Sequence, residues 1–143
     1  MSPVRTVLDT SVIVAGLRSQ LGASNRVLTL VAEQRIVPLV TTALFLEYED
    51  VLSRSDQRLA TGMSKEDVAG FLAAFASAAE AVDVYFTWRP QLADPADELV
   101  LEAAVNGRGS AIVTHNIRDF LPTARDFDVD VITPGTMLRR MKK

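Results

Sequence analysis

The sequence predicts an α/β fold, a three-layer sandwich in which a short, mostly parallel central sheet is flanked by helices. Short runs rich in β-branched residues alternate with longer amphipathic stretches, which is the pattern of a parallel sheet covered by helices. The segments between these runs are short, which favours right-handed crossovers between parallel strands. The 143 residues contain no internal repeat and no Gly/Ser-rich linker, so we expect a single domain over residues 1–143.

The strands are predicted from apolar, β-branched runs that end at polar or turn-forming residues. Pro38 lies within the second of these runs, and because proline cannot donate to a ladder it suggests a sheet edge or the start of a strand. The predicted strands cover residues 6–8, 36–40, 82–86, 111–114 and 129–133.

The helices are predicted from apolar residues at helical spacing and from their first residues. The segment Ser64-Lys65-Glu66-Asp67 resembles a capping box, and Pro134 suits the first position of a short last helix. An apolar stripe that includes Phe71, Leu72 and Phe75 is interpreted mainly as core. The predicted helices cover residues 12–17 and 25–34, begin at Thr42 and after Ser64, run from Asp94 or Asp97 to about 106, and begin at Pro134.

The composition restricts the chemistry that the chain can carry. It has no cysteine and one histidine, which excludes disulfides, thiolate metal sites, thiol nucleophiles and sites that need two histidines. The net charge of −3 gives no overall positive field for nucleic acid. No apolar stretch is long enough to cross a membrane, and no signal peptide precedes Val7, so we expect a cytoplasmic protein without a membrane partner.

Acidic residues follow several of the predicted elements at the same edge of the sheet. Asp9 follows the first strand and Asp119 the fourth; Glu47 lies early in the helix after the second. Asp94 and Asp97 lie where another helix begins. The carboxyl ends of parallel strands line the crevice where ligands bind. Clustered carboxylates repel one another and need cations or protons, and hard oxygen ligands favour Mg²⁺ or Mn²⁺.

Each acidic residue also has a purely structural interpretation. Asp9 could cap the next helix, Asp94 or Asp97 caps another, Asp119 could begin a short helix, and Glu47 could be a solvated helix residue. Only the expected convergence of these acids at one edge of the sheet favours a functional site.

Other polar and aromatic residues near the predicted strand ends have two interpretations as well. Thr114 could orient a carboxylate and Asn116 could hold a metal-bound water, or both could belong to an ordinary turn. His115 is assigned no catalytic role, and Trp88 is interpreted as a lid on the core.

Four motifs in order resemble the PIN-domain family. They are Val7-Leu8-Asp9-Thr10-Ser11, the segment around Glu47-Tyr48, Asp94-Pro95-Ala96-Asp97-Glu98, and Ile112 to Phe120. The resemblance implies a metal-dependent ribonuclease, most often the toxin of a bacterial VapC-type toxin–antitoxin pair. It also implies an RNA substrate, a homodimer and a small antitoxin whose segment covers the acidic mouth.

Carried over by position, the resemblance implies an acidic quartet of metal-binding and catalytic residues, with Mg²⁺ or Mn²⁺ as cofactor. Asp94 competes with Asp97 for the third position, and the spacing of Asp97 to the following helix face fits better. Ser11 stands where asparagine is common in the family, and Asn116 is an accessory position that is often acidic in relatives. The quartet is Asp9, Glu47, Asp97 and Asp119.

Two other classes of function remain open on the sequence. The same scaffold could be a non-catalytic RNA- or protein-binding domain. A phosphoacceptor signalling module also places an Asp after a parallel strand, but it needs an acidic pair at the first strand and a lysine at a later strand end. Asp9 has no acidic neighbour, and no lysine lies between Lys65 and Lys142.

Overall fold

The computed structural model describes residues 3–86, 90–109 and 111–142. Five parallel strands form one sheet in the order β3-β2-β1-β4-β5, and helices connect them along the chain. Trp88, interpreted above as a lid, lies outside the described residues. The strands are β1 (Val4–Leu8), β2 (Ile36–Val40), β3 (Glu80–Ala81), β4 (Ala111–Val113) and β5 (Asp130–Ile132).

Eight α-helices lie in the described part of the chain, together with a 3-10 turn at Ile117–Asp119. The third helix begins at Thr42, as the sequence predicts, and the fifth follows a complete capping box at Ser64. The helices are α1 (Thr10–Arg18), α2 (Ala23–Ala32), α3 (Thr42–Ser53), α4 (Ser55–Thr61), α5 (Lys65–Ala78), α6 (Pro95–Gly107), α7 (Thr123–Asp126) and α8 (Pro134–Met141).

Helices flank the sheet on both faces. Consecutive residues of a strand point to opposite faces, and both Thr6–Leu8 and Ala111–Val113 are buried without interruption. Helix α6 packs across β1, β2 and β4, while α2 packs on β2 and contacts α1, α5 and α8. The three-layer α/β sandwich with a parallel central sheet is therefore confirmed. Leu72 and Phe75 belong to its core.

Two predictions about the strands are wrong. Pro38 lies in β2, which has a neighbour on each side and is not an edge. The Val40 carbonyl accepts the N–H of Val82, the residue after β3. The backbone nitrogen of Pro38, two residues earlier in the strand, therefore also faces the β3 side. Because β3 begins opposite Leu39, Pro38 meets no strand there that needs its missing N–H.

The strand predicted over residues 82–86 is replaced by the two-residue strand β3 (Glu80–Ala81). Beyond it, the backbone N–H groups of Tyr85 and Phe86 donate to Asn106 Oδ1 of α6, each at 2.8 Å. A side chain of α6 thus takes the bonds that a longer ladder would have used. None of the helices in the described part of the chain combines the length and the hydropathy that a membrane span requires.

Candidate active site

The topology of the sheet creates a crevice beside β1. The chain passes from β1 to β2 on one side, whereas β4 pairs with the other side of β1. Such a point, where the strand order reverses, is where open parallel sheets bind ligands, beyond the carboxyl ends of the strands. Asp9 follows β1 and Thr114 follows β4, so both lie at this crevice.

Asp9 is buried at the crevice and does not act as a helix cap. It occupies the position before α1, but its side chain makes no capping hydrogen bond, so the capping interpretation is wrong. Instead its Oδ2 accepts from the hydroxyls of Ser11 at 2.8 Å and Thr114 at 2.6 Å. Asp9 is only 6% exposed, and its carboxylate is held in one orientation by a hydroxyl of α1, two residues later, and by the hydroxyl of Thr114, 105 positions away.

The segment after β4 is fixed around the same carboxylate. The backbone N–H of Asn116 donates to Thr114 Oγ1 at 2.9 Å, and the backbone N–H of His115 donates to Ser11 Oγ at 3.3 Å. The imidazole Nε2 of His115 lies 2.7 Å from Ser24 Oγ on α2. Through these bonds, the hydroxyls of Thr114 and Ser11 link the backbone of residues 115–116 to the Asp9 carboxylate.

The structure gives Asp94 and Asp97 different environments. Asp94 is the N-cap of α6, and its side chain accepts from the Ala96 N–H at 2.9 Å. Asp97 lies in the first turn of α6, is half-buried and accepts no hydrogen bond from the described residues. Partial burial, followed by the charges of Asp9, Asp94 and Asp119, raises the pKa of Asp97 from 3.8 to about 7.

The other two residues of the predicted quartet are placed differently. Asp119 is the last residue of the exposed 3-10 turn, so it ends a short helical segment where the sequence suggested that it begins one. Its charge acts on Asp97. Glu47 is half-buried on α3. The charges that act on Asp97 are those of Asp9, Asp94 and Asp119, and Glu47 is not among them.

The sequence indicated no role for Tyr48 beyond its place beside Glu47 in the second motif, yet Tyr48 reaches the site. Its ring is fully buried, and its hydroxyl donates to the backbone carbonyl of Leu8, the residue before Asp9. Burial and the charge of Asp9 raise the pKa of Tyr48 well above its ordinary value, so the phenol stays protonated and donates. A tyrosine within an apolar helical stripe is the only signal that the sequence offers.

The donor set fits a hard divalent cation. Carboxylates and hydroxyls surround the crevice, and partial burial together with the neighbouring carboxylate charges lets Asp97 hold a proton near neutrality. Among the described ion pairs, none involves Asp9, Asp97 or Asp119. The described residues nevertheless contain no group of three acidic or histidine side chains close enough to hold an ion. Binding of a metal ion would thus require the acidic side chains to move closer together.

Comparison with known proteins identifies the family. The family model of the PIN domain matches residues 5–118, which include Asp9, Glu47 and Asp97 and end one residue before Asp119. No curated protein and no solved structure matches the chain. PIN domains are generally nucleases that act on nucleic acid and typically bind divalent metals, and the parallel sheet and crevice described above have this nuclease-type architecture. Since the match covers most of the chain, the protein belongs to the PIN-domain family.

Proposed function

We propose that this protein is an Mg²⁺- or Mn²⁺-dependent endoribonuclease that hydrolyses phosphodiester bonds of RNA. The observation that carries the proposal is the relation between Asp9 and Asp97. Asp9 is buried and oriented by two hydroxyls, and the partial burial of Asp97 together with the charge of Asp9 raises the pKa of Asp97 to about 7. Two carboxylates at a strand-end crevice, without a basic partner in the described chain, are suited to share a cation.

Asp9 and Asp97 would be the principal metal ligands in this proposal. Asp119 and Glu47 would complete the site or orient the attacking water, and Asn116 would hold a further water. When bound, Mg²⁺ or Mn²⁺ lowers the pKa of its water and offsets the charge that develops on the phosphate oxygens. Ser11 and Thr114 keep Asp9 oriented, which limits the reorganisation that binding demands.

The acidity of the crevice explains why the cation is needed on electrostatic grounds. Without it, the carboxylates of Asp9, Asp97 and Asp119 repel a phosphodiester as well as one another. With Asp97 deprotonated and the charges offset, the phosphate can approach the carboxylates. An acidic pocket and an anionic substrate are then compatible.

The test is cleavage of a mixed-sequence RNA by the wild-type protein and by Asp9→Asn. We expect cleavage with Mg²⁺ or Mn²⁺, none with EDTA, and a loss of at least about 100-fold in kcat for Asp9→Asn. The matched control is Asp128→Asn, an exposed residue with a φ of 62°, a conformation that asparagine adopts readily. Equal rates for wild type and Asp9→Asn would contradict the proposal.

We also propose that the nuclease is the cytoplasmic toxin of a type II toxin–antitoxin pair and forms a homodimer. The unneutralised acids of the crevice support an antitoxin segment that places a basic side chain among them. The exposed apolar side chains of Val84, Tyr85 and Phe86 support a dimer contact. Growth arrest on expression, relief by the product of a neighbouring short reading frame, and sedimentation of the purified protein test these points.

One observation favours a second candidate, a non-catalytic PIN-like domain that binds RNA or protein. The acids of the described chain are not assembled into an ion-holding group. Calorimetric titration with Mn²⁺ separates the two candidates. Mn²⁺ binding to the wild type that is lost in Asp97→Asn supports the nuclease. Equal heats of titration in the wild type and the variant support the binding module.

A further inference from the structure

The peptide bond between Leu8 and Asp9 is held at both ends. Its N–H, on Asp9, donates to the Val113 carbonyl of β4 at 2.9 Å. Since the C=O and N–H of a trans peptide point in opposite directions, the Leu8 carbonyl points away from β4, towards the β2 side. There it accepts the hydroxyl of Tyr48 from α3.

No strand residue replaces that hydroxyl. The register of β1 with β2 extends to Thr6 and Pro38, so Leu8 lies beyond its last paired residue. Just after Val40 the chain turns into α3, with Thr41 as N-cap. A buried carbonyl at the end of the central strand needs a donor, and Tyr48 supplies it.

The ring of Tyr48 is itself fixed. It is fully buried and meets the ring of Phe75 on α5 edge to face, with centroids 5.6 Å apart and planes at 88°. The hydroxyl therefore connects the packing of α3 and α5 to one peptide plane of β1. Together with the φ of Asp9, −64°, that plane sets the direction in which the Cα–Cβ bond of Asp9 leaves the backbone.

We infer that Tyr48 is a positioning residue that fixes the Leu8–Asp9 peptide plane and thereby aims the Asp9 carboxylate into the crevice. The link to cleavage rests on the proposed function. Thr114 and Ser11 hold the carboxylate from its oxygen end, and Tyr48 holds the backbone from which it projects. Tyr48 directly follows Glu47 in α3. The same hydrogen bond therefore also fixes the position of Glu47 along α3 relative to Asp9.

The test replaces Tyr48 by Phe, which keeps the ring and its contact with Phe75. The matched control is Thr6→Val, which removes a buried hydroxyl of β1 that donates to the Ala111 carbonyl. We expect Tyr48→Phe to raise the Mn²⁺ concentration at half-maximal cleavage, and to lower kcat, by about tenfold each. Thr6→Val should change neither, although both buried variants lose thermal stability.

A second measurement does not depend on cleavage. Amide hydrogen exchange at Asp9, whose N–H bonds Val113, should speed up more in Tyr48→Phe than in Thr6→Val. If the wild type fails to cleave RNA, the proposed function fails, while faster exchange at Asp9 still supports the positioning role. The inference is overturned if Tyr48→Phe behaves as Thr6→Val does in exchange and, for an active enzyme, in kcat and metal dependence.

Discussion

The hydroxyl of Thr114 donates to Oδ2 of Asp9 at 2.6 Å, across 105 positions of sequence. It joins the end of β4 to the end of β1 at the crevice. Thr114 is fully buried and also accepts the Asn116 N–H, so its hydroxyl cannot turn away without leaving buried polar groups unpaired.

Replacing Thr114 by Val should impair Asp9 while keeping the shape of the side chain. The loss of one hydrogen bond to a buried carboxylate is expected to cost about 1–3 kcal/mol of stability. The activity should fall about 10- to 100-fold, because the ligand is no longer oriented. Chemical denaturation and steady-state cleavage measure the two effects. Thr29→Val, which removes a hydroxyl bonded to Asn25 within α2, is the control, and equal losses in both variants would contradict the role of Thr114.

Asp94 and Asp97 should respond differently to substitution. Asp94→Ala is expected to lose about 0.5–2 kcal/mol of unfolding free energy, because the cap of α6 is removed, whereas Asp94→Ser keeps a capping oxygen. Asp97→Asn should abolish metal-dependent cleavage without this loss. Thermal melts and cleavage assays compare the three. Full activity in Asp97→Asn together with inactivity in Asp94→Ser would exchange their roles.

The raised pKa of Asp97 predicts how stability of the metal-free protein depends on pH. The folded state holds a proton on Asp97 up to about pH 7, while the unfolded chain loses it near the ordinary value of 3.8. The folded state thus binds more protons between these values, and stability falls as the pH rises through this window. Melting in EDTA at several pH values should show this fall for wild type.

The variant Asp97→Asn isolates this contribution. Glu102 also has a raised pKa and contributes in the same direction, so the wild-type curve alone is not specific. Asp97→Asn should flatten the fall in Tm between about pH 5 and pH 7, and saturating Mg²⁺ should do the same in the wild type. A curve of unchanged slope in the variant would show that Asp97 titrates normally.

Local patterns made much of the fold predictable. The second strand was predicted with the bounds that the structure has, and the capping box at Ser64 begins α5 as expected, because apolar alternation and capping act over a few residues. The 82–86 strand was wrong because Asn106, distant in sequence, takes the N–H groups of Tyr85 and Phe86. No local pattern carries that information.

The sequence by itself determined a parallel α/β fold and which acidic residues follow its strands, since periodicity and the ends of elements are properties of short segments. Tertiary structure alone decided which contacts those acids make. It put β4 beside β1, so that Thr114 reaches Asp9, and it made Asp94 the cap while Asp97 lies near other charges. Such neighbours are fixed by the order of strands in the sheet, which depends on packing between segments far apart in the chain.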